Sequence, residues 1–125
     1  MIAHAMERPP GFDVERAPLS GAPGVLVLGE VDVDTAGELI TALDAAIRES
    51  QGAFVVDLSD VEFLASCGVS VLIRARALLG REERAIVLVC PPGPARRAVE
   101  VTGVADLFTL FRSRDHAAAW LQLHG

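Results

Sequence analysis

Two short, almost unbroken apolar runs, A-F-V-V-D-L at residues 53–58 and A-I-V-L-V-C at residues 85–90, constrain this chain more than any other feature. A strand with one wet face alternates apolar and polar side chains. A run without that alternation fits a strand covered on both faces, as in a parallel sheet. Between the two runs, residues 67–80 are rich in Val, Leu, Ile and Ala and close on Gly80, which reads as a helix. An earlier helix is predicted from Asp34, with Asp34 or Thr35 as cap. In it Ala36, Leu39, Ile40, Leu43 and Ile47 recur at three- and four-residue spacing, and Glu38, Thr41, Asp44 and Arg48 lie opposite. Residues 12–17 and 25–28, joined by turn chemistry, predict a hairpin-like opening with an edge strand. Pro94 suits the first turn of a third helix that stops at Gly103, followed by a short strand at 107–111 and a last helix at 114–123. Strands alternating with helices predict one α/β domain with a mixed, largely parallel sheet of about four or five strands and about four helices. Residues 1–11 read as a flexible N-terminal arm and 12–125 as the domain.

Composition narrows function mostly by exclusion. No apolar run in the 125 residues approaches the roughly 18 to 20 needed to cross a bilayer, and the first residues lack a leader pattern, so a cytoplasmic protein is expected. Cys67 and Cys90 are too few for a disulfide framework, and with His4, His116 and His124 far from them no metal site is expected. The net charge of -6, with 11 cationic residues that are all Arg and scattered, argues against nucleic acid as a partner. Lys, Asn and Tyr are absent while Ala, Gly, Arg and Val abound, a pattern associated with GC-rich bacterial genes. Asp57, Asp60 and Glu62 read as solvated loop charges rather than cation ligands. No enzyme is expected: no histidine falls in a strand-end loop where it could activate Ser66 or Cys67, and the serine lacks the G-x-S-x-G context of a nucleophile elbow. No cofactor is expected either, and the phosphate-cradling G-x-x-x-x-G-K-[ST] loop is absent.

The most informative stretch is V-E-F-L-A-S-C-G-V-S-V-L at residues 61–72, where a strand, a short loop and a helix start meet. Ser66 is placed as an N-cap, stabilising the helix by about 1 kcal/mol. The same free amides and partial positive charge also suit a phosphate, so Ser66 is equally a candidate for phosphorylation. Cys67, at a helix start, is a candidate for oxidation, and Cys90 ends a strand expected to be adjacent, which leaves a redox-sensitive disulfide as another reading. Small residues at Ser66, Cys67, Ser70 and Ala77 allow close approach of another protein. Arg74 shares the face of Ser66 and Ser70 and could meet an acidic patch on it.

Residues 55–79, V-V-D-L-S-D-V-E-F-L-A-S-C-G-V-S-V-L-I-R-A-R-A-L-L, resemble the hallmark stretch of STAS-domain anti-sigma factor antagonists. Two further segments agree: G-E-V-D-V-D-T-A-G-E-L at 29–39 and V-C-P-P-G-P-A-R-R-A-V-E-V-T-G-V-A-D-L-F at 89–108. The resemblance implies a partner switch. The unphosphorylated antagonist binds an anti-sigma factor that is itself a serine kinase and so frees a sigma factor. Phosphorylation breaks the complex, and a PP2C-type phosphatase resets it. By position, Ser66 matches the phospho-acceptor, Gly68 the glycine of the helix start, and Asp32 the acidic residue near the acceptor. Ala65 departs from the family, which often has Asp directly before the serine. The alternative is a STAS module that is not phosphorylated and instead scaffolds a larger assembly or senses a small ligand or redox state.

Overall fold

The opening hairpin forms as expected. In the computed structural model, which describes residues 11–124, β1 (Phe12–Arg16) runs antiparallel to β2 (Gly24–Val31), with Phe12 opposite Gly29. Of the arm expected at 1–11, residues 1–10 lie outside the described residues; the Gly11 carbonyl accepts the Glu30 N–H at 2.8 Å. Gly29 has φ +89, and a Cβ there would overlap the Gly11 carbonyl oxygen, so glycine is required where the two strands begin to pair.

The chain continues through α1 (Ala36–Arg48), β3 (Phe54–Leu64), α2 (Ser66–Gly80), β4 (Ile86–Val89), α3 (Pro94–Val101), β5 (Thr109–Phe111) and α4 (Arg114–His124). The five strands lie in the order β1-β2-β3-β4-β5, and β2 to β5 are parallel. The mixed sheet with four helices is thus the α/β architecture read from the pattern. The fifth strand starts later than expected, because Ala105–Leu107 forms a turn of 3-10 helix before it.

Alternation along β3 and β4 sorts the two layers. Phe54, Val56 and Leu58, with Ile86, Leu88 and Cys90, face a core shared with Leu39 and Leu43 of α1, Leu72 and Leu79 of α2, and Val99 of α3. Val55, Val87 and Val89 point the other way, onto Ala117 and Leu121 of α4. Both faces of these strands are dry, which is why their sequences do not alternate.

Asp57 obeys the same parity and lands on the α4 side. It is only 1% exposed, which corrects the expectation of a solvated loop charge. Arg114, at the first turn of α4, donates from Nη1 to Asp57 Oδ2 at 2.9 Å and from Nη2 to the Pro18 carbonyl at 3.1 Å, and the Ser59 N–H donates to Asp57 Oδ1 at 2.8 Å. The Asp57–Arg114 pair therefore joins the β1–β2 turn, β3 and α4. Asp60 and Glu62 are exposed.

β3 also runs past the expected end at residue 58, as far as Leu64. Beyond Asp57 it has left β4 and pairs only with β2, and the register shifts twice, between Leu26 and Leu28 and between Gly29 and Glu30. Each irregularity adds a residue on β3, so the buried positions Leu58, Val61 and Leu64 fall three apart and hide the strand from a search for twofold alternation.

Arg84 closes the far end of α1. Its side chain is 6% exposed and donates to the carbonyls of Gly52 (2.7 Å) and Ile47 (2.9 Å) and to Ser50 Oγ (2.9 Å). A cation there adds a donor to the last-turn Ile47 carbonyl, ties it to the Gly52 carbonyl beyond the helix, and meets the negative end of the helix dipole. Arg84→Ala is expected to lower stability by about 2 to 3 kcal/mol, with Arg84→Lys recovering only part, since an ammonium lacks the planar fork. Urea unfolding followed by circular dichroism measures both.

Candidate functional site

The site is built where β2 and β3 end together. Val31 pairs with Leu64, and the Ala65 N–H still donates to the Val31 carbonyl at 2.9 Å, which sets Asp32 beside Ala65 and Ser66. The 32–35 loop holds itself rigidly. Asp32 Oδ1 accepts the N–H groups of Asp34 (2.9 Å) and Thr35 (3.2 Å), the Asp32 N–H donates to Thr35 Oγ1 (3.0 Å), and the Thr35 hydroxyl donates to the Glu30 carbonyl (3.0 Å). Thr35 is the N-cap of α1 and is 3% exposed, and its buried hydroxyl is satisfied within this partly buried polar box. The carboxylate of Asp32 is therefore occupied in shaping the loop next to Ser66.

Ser66 is not the N-cap of α2. That place belongs to Ala65, whose backbone is extended (φ -76, ψ 166) because its N–H stays in the β2–β3 ladder. The Ala65 carbonyl accepts from Gly68 (2.9 Å) and Val69 (3.2 Å), and its methyl cannot cap the first turn. Ser66 is thus the first helical residue. Its side chain is exposed, and its hydroxyl has no partner among the described residues.

Around Ser66 the candidate residues divide. Ser70 is exposed one turn further on the same face, and Cys67 is half-buried. Gly68 faces inward: a Cβ there would lie 2.5 Å from Leu64 Cδ1 and 2.8 Å from Val31 Cγ1, so glycine lets the start of α2 sit directly on β2 and β3. Arg74 is turned toward α1, where it makes a two-pronged contact with Asp44, one N–O distance being 3.0 Å, so its guanidinium already has an acidic partner within the chain.

Two side chains missed in the sequence complete the surface. Val33 is 80% exposed at the tip of the Asp32 loop, and Phe63 is 49% exposed on the last stretch of β3. Both neighbour the Ser66 end of the sheet, and both stand in acidic stretches, V-D-V-D-T and V-E-F-L. For Val33 the available signal was an apolar residue between two aspartates just past a strand; Phe63, inside β3, gave none.

The structure does not bring Cys67 and Cys90 together. Cys90 follows Val89, which is level with Asp57. From there to Leu64 β3 runs alongside Leu26 to Val31 of β2, a rise of roughly 16 Å. A disulfide needs Cα atoms within about 7 Å. Cys90 is fully buried, and desolvation pushes its thiol up to about 11, so it stays protonated at neutral pH. Among the described residues no group of three or more His, Cys, Asp or Glu is placed to hold a metal ion, and no helix is long and apolar enough to cross a membrane. His116 hydrogen-bonds Ser113 and His124 stacks on Trp120, both on α4; His4 lies outside the described residues.

A strand-end serine at the first turn of α2, a short acidic loop beside it and this strand order can be compared with known proteins. The family model for the STAS domain of the Mlab type matches residues 16–111. The chain belongs to the STAS-domain family. RsfB of Mycobacterium tuberculosis, an anti-sigma-F factor antagonist, is 31% identical over 106 residues, covering 85% of this chain and 86% of that protein. An anti-sigma factor antagonist from Mycobacterium paratuberculosis superposes with a TM-score of 0.78 at 32% identity over 92% of this chain and 98% of its own. Unphosphorylated SpoIIAA, also an anti-sigma factor antagonist, shares the fold at a TM-score of 0.71 and 15% identity, over 91% and 98% of the two chains. The region matched by the STAS model contains all of the Asp32, Phe63, Ser66 and Ser70 surface, while most of β1 and all of α4 lie outside it.

Proposed function

We propose that this STAS domain is an anti-sigma factor antagonist of the cytoplasm, residues 12–125 forming the acting unit. In its unphosphorylated form it binds an anti-sigma factor that is also a serine kinase, and thereby releases a sigma factor. Phosphorylation of Ser66 ends the complex, and a PP2C-type phosphatase restores it. The observation that carries the reading is the exposed Ser66 on the first residue of α2, whose hydroxyl has no partner among the described residues, at the end of the sheet where Val33 and Phe63 are also exposed. The roles of the mycobacterial relatives support it.

The chemistry of the switch follows from the position. A phosphate on Ser66 brings about -1.5 to -2 charge at neutral pH. Uncapped first-turn amides of α2 stabilise it where it forms. The same charge sits beside an apolar contact surface and near exposed Asp34 and Glu62, so a partner docked there meets a strongly hydrated dianion it cannot desolvate cheaply. Partner contact is assigned to Ser66, Ser70, the exposed edge of Cys67, Phe63 and Val33. Asp32 and Gly68 act through the backbone that they shape, and Arg74 through its tie to α1. With Ala65 in place of an acidic residue, the position before the acceptor supplies no carboxylate.

Intact-mass measurement after incubation with ATP, magnesium and candidate anti-sigma kinases of the source genome is expected to show one added phosphate on the wild type and none on Ser66→Ala. Release of the phosphorylated protein from the kinase should accompany it. Stable binding to the kinase with no phosphate gain would overturn the switch while keeping the antagonist, and absence of binding to every candidate kinase would overturn both.

A further inference from the structure

A cleft of about 370 Å³ opens where β4 and β5 end, lined by Pro92, Gly93, Arg96, Arg97, Glu100 and Arg112. Three guanidinium groups share it with one carboxylate, a local excess of two positive charges (three Arg, one Glu) on a chain whose net charge is -6. Arg96 is fixed in place: its Nη1 donates to the Cys90 carbonyl at 2.7 Å and its Nε to Glu100 at 3.3 Å, so the only carboxylate of the lining is already engaged. Arg97 and Arg112 are exposed, and their side chains have no hydrogen bond or ion pair among the described residues. They come from different elements, α3 and the residue after β5, and are brought together by the Cys90 N–H bonding the Phe111 carbonyl at 2.7 Å.

Cations gathered this way repel one another unless an anion lies between them. Guanidinium forks match the oxygens of a phosphate in pairs, which an ammonium or a neutral donor does not. The backbone on the same side is compatible, since Gly93 and Pro94 open α3 with no side chain capping its first turn. We propose that this cleft binds a phosphate-type dianion, free or as the terminal phosphate of a small soluble molecule, held by Arg97 and Arg112 with Arg96 as a fixed third donor. None of the lining residues belongs to the Ser66 surface, so the site stands or falls separately from the antagonist reading.

The test is an amide NMR titration of the full chain with sodium phosphate and with sodium pyrophosphate, each at constant ionic strength against sodium chloride. Saturable shifts at the Gly93, Ala95, Arg96 and Arg97 amides are expected, with Ser66 to Ser70 unmoved. Arg97→Ala and Arg112→Ala, both exposed and so compatible with an unchanged fold, should each weaken binding at least about fivefold, and the double variant should abolish saturation. Stronger binding of pyrophosphate would mark a ligand carrying linked phosphates, and equal or stronger binding of phosphate a single group. Shifts that match those of chloride, or a double variant that still saturates at the wild-type concentration, would overturn the site.

Discussion

Truncating Phe63 to alanine is expected to weaken the complex with the anti-sigma partner by tenfold or more, about 1.4 kcal/mol or above, while the isolated protein keeps its stability to within about 1 kcal/mol. Phe63 is 49% exposed and belongs to neither buried cluster, so the free protein gains little from its ring. An interface gains much more. An aromatic side chain on a well-ordered strand brings large contact area with few rotatable bonds, and alanine scans find such anchors near the centres of interfaces. Val33, 80% exposed on a loop locked by Asp32 and Thr35, is the second anchor, and Val33→Ser should cost a smaller factor in the same direction. Calorimetric titration of the kinase partner with wild type, Phe63→Ala, Val33→Ser and Ser66→Asp measures the set. Wild-type affinity of Phe63→Ala beside a strong loss in Ser66→Asp would place the partner on the α2 side of Ser66 and remove Phe63 from the interface.

Removing Arg114 is expected to destabilise the fold more than removing the acid it holds. Asp57 is 1% exposed, whereas the Arg114 side chain is 38% exposed. Arg114→Ala therefore strands a buried carboxylate, at a cost of about 3 kcal/mol, while Asp57→Ala leaves a guanidinium that can turn into solvent, at about 2 kcal/mol. For a domain of this length the first corresponds to a fall in melting temperature of about 10 °C. The double variant Asp57→Ala/Arg114→Ala should melt above Arg114→Ala alone, because the stranded charge is gone. Thermal melts of the three variants decide it; a double variant less stable than both singles, by the sum of their losses, would show that each side chain acts through its own packing and not through the pair. The consequence is structural: the pair fastens α4 and the β1–β2 turn to the sheet on the face opposite α2, so activity of the Ser66 surface should survive in the folded fraction of each variant.

Much of the architecture was legible in the chain because its signals are local. Residues 53–58 and 85–90 lack alternation since both faces of β3 and β4 are covered, and the three- and four-residue spacing of Leu39, Leu43 and Ile47 reports one buried face of α1. What sequence reasoning missed has a common cause, dependence on register and on partners distant in the chain. The two irregularities of β3 shift its inward residues to a spacing of three, so its last stretch read as loop, and Ser66 moved from cap to first helical residue because Ala65 remains tied to Val31. Asp57 looked like a solvent charge until parity put it under α4, 57 residues from its Arg114 partner. Arg74 and Asp44, 30 residues apart, find each other only when α1 and α2 pack side by side. The amino-acid sequence by itself determined the number, type and order of elements and the serine at the helix start, because short-range periodicity and turn chemistry encode them. Only the tertiary structure decided which charges are buried, which apolar side chains stay exposed near the ends of β2 and β3, and which arginines share the cleft at Gly93. Those outcomes depend on strand register and layer packing, and a single residue of slip along β3 would reverse its pattern of burial.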